Sequence, residues 1–317
     1  MKTITLEEHY MSPGYADGPG RSFRENAKRG GDRMATIFEQ LADLGNKRIA
    51  LMDEAGIDMQ VLSSNPPGAE QLEASEAIKI ARETNDFLAD AVKKYPGRFA
   101  GFATLPTAAP EIMVQKHGFK GAVINGHIKG RYLDDKFFWP ILECAEKLNV
   151  PIHIHPTRPP KPIIDTYYGG FSPEVTDILA RTGWGWHIET AVHVIRLIIS
   201  GVFDKYPKLQ IIVGHMGEGL PFMLERMDSY LSPEITGLKR TMGDYLRENI
   251  HYTFSGFNYT PTFLNLLLEV GVDRIMFSAD HPWGSMVKAR AFLDLLPVST
   301  ADREKIAHGN AERLLKL

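Results

Sequence analysis

Glu7 and His9, His153 and His155, His215 and Asp280 are the residues of this chain whose types and spacing suit metal chemistry. Each stands in or at the end of a short run rich in β-branched residues, and residues two apart on a strand share a face. Glu7 and His9 therefore point together into the interior, as do His153 and His155, while Glu8 and Ile154 face the other way. Imidazole nitrogens with carboxylate oxygens suit a divalent ion such as zinc or manganese, and a coordination position left open takes water or substrate. A lone strand-end histidine is ordinarily a hydrogen-bonded structural residue. Glu7, His9, His155, His215 and Asp280 together, all at strand ends, point instead to a catalytic metal site. His153 lies a residue pair deeper and fills an interior layer. His281 lines the pocket only where the strand has already turned into loop. His187 and His193, six apart in a helix-like stretch, and His117, His127, His251 and His308 are read as structural.

The runs that must position these groups number eight: Thr3–His9, Met59–Ser64, Phe99–Leu105, Gly121–Gly126, Pro151–Pro156, Leu209–His215, His251–Gly256 and Arg274–Asp280. Amphipathic stretches separate them: Arg33–Ala55, Ala69–Lys94, Ala108–His117, Lys136–Leu148, Pro173–Phe203, Leu220–Leu231 with Thr241–Arg247, Pro261–Val270, and a tail from Val287 to Leu317. Strand followed by helix, eight times over in 317 residues, predicts an α/β fold of the (β/α)8 TIM-barrel type. No Gly-rich phosphate turn follows the first strand, which removes the support for nucleotide binding. Tyr10–Asp32 and Thr157–Ser172, rich in Gly and Pro, read as inserted loops after strands one and five. Loops after strands lie at the C-terminal mouth, where barrel active sites sit, so these two are natural walls of a pocket. Tyr10, Tyr15 and Phe23 in the first loop are candidates to shape it.

Charge excludes other partners: 36 basic against 39 acidic residues, without a long run of one sign, recommends neither nucleic acid nor an anionic membrane. A small-molecule substrate is expected. One cysteine, Cys144, makes no internal disulfide and reads as a structural thiol. The charged N-terminus lacks the apolar core of a signal peptide, and no apolar run approaches the ~20 residues of a bilayer span, so a cytoplasmic enzyme is expected.

At these same residues the chain resembles the amidohydrolase-related metal-dependent decarboxylases (the amidohydrolase 2, or aminocarboxymuconate-semialdehyde-decarboxylase-like, group). The resemblance is carried by Glu7-x-His9, His155-Pro156, Gly214-His215-Met216-Gly217-Glu218 and Phe277-Ser278-Ala279-Asp280, and by Glu189-Thr190-Ala191-Val192-His193. It continues through Ser200-Gly201-Val202-Phe203-Asp204 before Pro207 to the closing Asn310-Ala311-x-Arg313-Leu314, nearly end to end. The γ-resorcylate and 2,3-dihydroxybenzoate decarboxylases fit it best. It implies one amidohydrolase-like barrel domain over 1–317, with helices in 287–317 packing on it. It also implies one divalent metal (zinc or manganese, with magnesium possible) held by Glu7, His9, His155 and Asp280. Asp280 and His215 would be catalytic, with Glu218 orienting His215, and Arg226 would meet the substrate. Nonoxidative decarboxylation of an ortho-hydroxylated aromatic acid in aromatic-compound catabolism is the implied activity, performed by a homodimer or homotetramer. The ligand set by itself fits a second chemistry equally well: hydrolysis of a lactone, ester or amide by metal-bound water.

Overall fold

The alternation of β-branched runs with amphipathic stretches builds a parallel barrel. The computed structural model describes residues 1–21, 23–25, 31–106 and 117–317. Its strands are β1 (Ile4–Tyr10), β2 (Met59–Ser64), β3 (Phe99–Gly101), β4 (Ala103–Thr104), β5 (Ala122–Asn125), β6 (Ile152–His155), β7 (Ile211–Val213), β8 (Ile250–Thr253) and β9 (Ile275–Met276). β3 and β4 are two halves of the third run, broken at Phe102, whose N–H reaches back to Leu62 O at 2.9 Å. All eight runs contain a strand, and each paired neighbour is parallel. A parallel bridge between Leu6 and Ser278, with Leu6 N–H on Phe277 O at 3.1 Å, joins the first run to the last.

One end of the interior is apolar. Ile4, Leu6, Val61, Phe102, Val123 and Met276 pack into one buried cluster, closed by Ala311 and Leu315 of the C-terminal helix Asn310–Leu315. Burying that floor excludes water from one end of the barrel and leaves the polar residues for the other. The helices outside are cut more finely than the sequence pattern suggests. Arg33–Ala55 divides into Gly31–Ala42 and Asn46–Ala55, because Asp43 turns back to accept Arg48 N–H at 2.7 Å. Pro173–Phe203 divides into Pro173–Ala180, Gly185–Ile199 and Val202–Lys205, the last break made by Gly201 at φ +77°. The helix expected over Ala108–His117 lies outside the described residues, His117 excepted. Among the described residues, no helix is long and apolar enough to cross a membrane.

Candidate active site

The strand ends that carry the chemistry are not regular strand. Glu7 (φ 63°), His215 (48°), Glu218 (55°), Ser255 (45°) and Asp280 (59°) all have left-handed backbone, which side chains other than glycine rarely adopt. Such conformations persist where the surroundings over-determine them, and they collect at functional sites. At Glu7 the cause is visible, since the β1–β2 register slips between Thr5 and Glu8. β7 stops at Val213 and β9 at Met276, so His215 and Asp280 stand in turns beyond their strands, shorter than the runs Leu209–His215 and Arg274–Asp280 predict.

These turns bring four groups together. His9 Nε2 is 3.2 Å from Asp280 Oδ1, and His155 Nε2 is 3.6 Å from Glu7 Oε1. Single donor atoms of His9, His155 and Asp280 all lie within 4.8 Å of one another. The donors are also free in the right way. Among the described residues, both nitrogens of the buried His9 and Oε1 of the buried Glu7 have no hydrogen-bond partner. Buried polar atoms are rarely left so, and a cation beside them would satisfy Glu7 Oε1 and one nitrogen of the His9 ring. His155 Nδ1 donates to Pro156 O at 2.8 Å, which fixes the proton there and leaves Nε2 as a lone pair facing Glu7. Burial holds His9 neutral, pushing it down to about 3 against the pull of Glu7. Burial raises Glu7 too, but His153, His215 and His155 outweigh it and keep the carboxylate ionised. Asp280 is pushed up to about 8 by burial, against His215 and with Glu7 and Glu218. The residues therefore fit one divalent ion: neutral imidazoles, an ionised carboxylate and open donor atoms.

Several supports were not legible as site residues. Glu7 Oε2 is held by Thr253 Oγ1 at 2.8 Å and by Ser255 Oγ, which leaves Oε1 for the site. Gly214 makes room for that carboxylate: a methyl group there would sit 2.5 Å from Oε1 and 2.6 Å from Oε2. Gly214→Ala should accordingly displace Glu7 and weaken metal binding about 10- to 100-fold, the range for losing an outer support. Titration of the metal-free protein checks this, and an unchanged affinity would show that the carboxylate tolerates the methyl group. Glu8 faces away from the interior as its position requires, yet it is no bystander. Its carboxylate accepts Ala279 N–H at 2.9 Å and His281 N–H at 3.0 Å, one on each side of Asp280. Arg48 donates to His9 O at 2.8 Å and to Gln60 Oε1 at 2.7 Å, while Gln60 Nε2 reaches Glu8 at 3.3 Å. This buried layer ties the backbone of His9 to that of Asp280.

A second constellation adjoins the first. His215 Nδ1 is 2.7 Å from Glu218 Oε1 and 3.8 Å from Glu7 Oε1. Burial disfavours a charge on His215, but Glu218, then Glu7 and Asp280, push it up to about 10. Glu218, the last residue of the Gly-His-Met-Gly-Glu motif, is thus within hydrogen-bond distance of His215.

The remaining candidates are placed as follows. His153 is fully buried, with Nε2 3.5 Å from Glu7 Oε2 and its ring edge on Phe102, beneath the metal-facing groups. His281 sits in loop, the condition for its expected role, and its ring is buried. Tyr10 and Tyr15 are core residues, against expectation: Tyr10 donates to Thr84 O at 3.2 Å and Tyr15 accepts Gly68 N–H at 3.1 Å. Phe23 packs on Trp283, ring centroids 5.5 Å apart. The expected first loop, Tyr10–Asp32, falls partly outside the described residues and holds the short helix Pro13–Asp17. The stretch expected as a loop after strand five, Thr157–Ser172, is helical from Lys161 to Tyr168, and with Pro67, Gln71 and His127 it lines a cavity of about 630 Å³ whose lining does not include Glu7, His9, His155, His215 or Asp280. Arg226 is not brought to the cluster. It is exposed on helix Leu224–Tyr230, its guanidinium 4.0 Å above the Tyr230 ring.

With this geometry established, comparison with known proteins assigns the family. The amidohydrolase family model matches residues 38–317. The chain belongs to the amidohydrolase family. This amidohydrolase is 40% identical to the γ-resorcylate decarboxylase of Polaromonas sp. strain JS666, over 99% of this chain and 98% of the relative. A crystal structure of 2,6-dihydroxybenzoate decarboxylase complexed with 2,6-dihydroxybenzoate superposes with a TM-score of 0.90 at 36% identity, covering 100% of both chains. A structure of dihydroxybenzoic acid decarboxylase from Polaromonas sp. JS666, with bound manganese and the inhibitor 2-nitroresorcinol, gives 0.89 at 37%, over 100% of this chain and 97% of that one. The barrel architecture and the divalent-metal reading of the site agree with these relatives.

Proposed function

We propose that this amidohydrolase is a metal-dependent carboxy-lyase that removes CO₂ from an ortho-hydroxylated benzoic acid without redox change. The observation that carries the reading is the juxtaposition of the unpartnered Glu7 Oε1 and His9 nitrogens with His155 Nε2 and Asp280 Oδ1, beside the His215–Glu218 pair, in a barrel similar over its whole length to dihydroxybenzoate decarboxylases. Glu7, His9, His155 and Asp280 would hold the metal, which when bound would supply Lewis acidity toward the carboxylate and the ortho oxygen. The chain's own groups do the rest. The buried site fixes the ring and excludes water. Asp280, in its protonated form, delivers a proton to the ring carbon that bears the carboxylate. The C–C bond then breaks, CO₂ leaves and the electron pair restores the aromatic ring, so that one carboxylate and one proton become arene and CO₂. His215, held by Glu218, balances the developing charge.

Manganese is the metal proposed first, by analogy with the manganese-bound relative, with zinc second. A homo-oligomer is part of the proposal. The exposed apolar side chains Tyr167, Phe171, Ile178, Trp184, Phe222 and Ile235 offer surface that such an interface would cover. Arg226 lies among the last of these, and it would serve the substrate only beside a neighbouring copy's pocket.

Manganese- and zinc-loaded protein incubated with salicylate, 2,3-dihydroxybenzoate and 2,6-dihydroxybenzoate tests the reading. Release of CO₂ matched by loss of one acid is expected. Opening of a lactone with no CO₂ from any acid would replace the lyase by the hydrolase.

A further inference from the structure

The Glu218 carboxylate is shared. Its Oε1 is 2.7 Å from His215 Nδ1, and its Oε2 is 2.5 Å from Nδ1 of His187, a residue that the sequence pattern marks only as structural. The hydrogen bonds described for this fully buried carboxylate are these two, so each imidazole satisfies one oxygen. His187 is itself held at its other nitrogen: with the proton on Nδ1, Nε2 accepts the Trp186 Nε1–H at 3.2 Å, at the start of helix Gly185–Ile199. The two imidazole rings meet edge to face at 4.8 Å, and Phe257 covers both, at 5.4 Å from His187 and 5.6 Å from His215. A ring fixed at both nitrogens and under an aromatic lid is better determined than packing alone requires.

We propose that His187 is a positioning residue for the reaction, in the function read above and resting on it. Its Nδ1–H pins Glu218 Oε2, which keeps Oε1 on Nδ1 of His215. That bond fixes the His215 ring and the proton on its Nδ1. Without His187, a buried carboxylate oxygen loses its donor and the group turns to find another. His187, His215 and Glu218 also lie close enough to hold a cation of their own. The separations of 2.5 and 2.7 Å argue for hydrogen bonds instead, since ligands of one metal with bonds near 2.0–2.2 Å usually stand about 3 Å or more apart.

The test compares the metal-loaded native protein with His187→Ala, His187→Asn and His187→Gln. An asparagine amide nitrogen falls where Nδ1 stands, whereas a glutamine nitrogen falls nearer Nε2. Alanine should lower kcat about 10- to 100-fold, with KM and metal content unchanged. Asparagine should restore most of the loss and glutamine should not. The proposal is overturned by an alanine variant with native kcat, by glutamine rescuing as well as asparagine, or by two metal ions per native chain. If the native protein releases no CO₂, it is the functional reading that fails, and crystal structures then decide this inference. A Glu218 carboxylate turned away from His215 in the alanine variant, and held in place in the asparagine variant, supports it; one unmoved in alanine sinks it.

Discussion

His155→Ala protein is expected to leave a metal-free buffer with well under one divalent ion per chain, and its decarboxylation should vanish with the ion. The reason is geometric. His155 is buried at the end of β6, its Nδ1 is committed to Pro156 O, and Nε2 faces Glu7 with no competing donor. Alanine removes one of four donors and leaves a hole that water fills poorly, so affinity should fall by more than the roughly 10- to 100-fold typical of losing an outer support. Asp280→Asn makes a complementary case. The amide keeps the volume and offers an oxygen, so part of the metal should remain, but an amide has no carboxyl proton to give and turnover should be lost. Elemental analysis against kcat separates the two effects. Folding is controlled by the melting temperature, because a site variant should melt where the native protein melts with a chelator present. Full metal together with full activity in either variant would remove that residue from the site.

Much of this site was legible because two simple regularities converge: period-two alternation and the rule that barrel chemistry sits past the strand ends. Glu7-x-His9 and His153-x-His155 state both at once. The parts that were not legible share a physical cause, since they depend on backbone leaving the regular path. The strands of the runs Leu209–His215 and Arg274–Asp280 stop at Val213 and Met276, and the chain turns into left-handed backbone at His215 and Asp280 beyond them. The Glu7 carboxylate depends on hydroxyls of Thr253 and Ser255 and on the missing side chain of Gly214, none of which stands out by residue type. Arg48, a charged residue in the helix Asn46–Ala55, is buried and ties down the His9 carbonyl. His187 lies in a stretch whose pattern runs on as one helix. The structure breaks that stretch between Ala180 and Gly185, and His187, in the first turn of the second helix, reaches Glu218.

His215→Asn should separate catalysis from metal binding. Nδ1 of His215 is committed to Glu218 at 2.7 Å, and it stands 3.8 Å from Glu7 Oε1, outside the group formed by His9, His155 and Asp280. Removing the imidazole therefore leaves those donors in place, and metal content should stay at the native level. Turnover should fall about 10²- to 10⁴-fold, the range for loss of a group that moves or balances a proton in the transition state. Asparagine keeps a hydrogen bond to Glu218, so the buried carboxylate is not stranded and the variant should fold. A fall in kcat with KM unchanged would place the His215 contribution in the transition state alone. Metal loss parallel to activity loss would instead make His215 a ligand, and unchanged turnover would make the Glu218 pairing a feature of the fold. The contrast with His155→Ala gives the pair its force. One histidine should take the metal with it, while the other, 6.3 Å away between ring centroids, should take the chemistry and leave the metal behind.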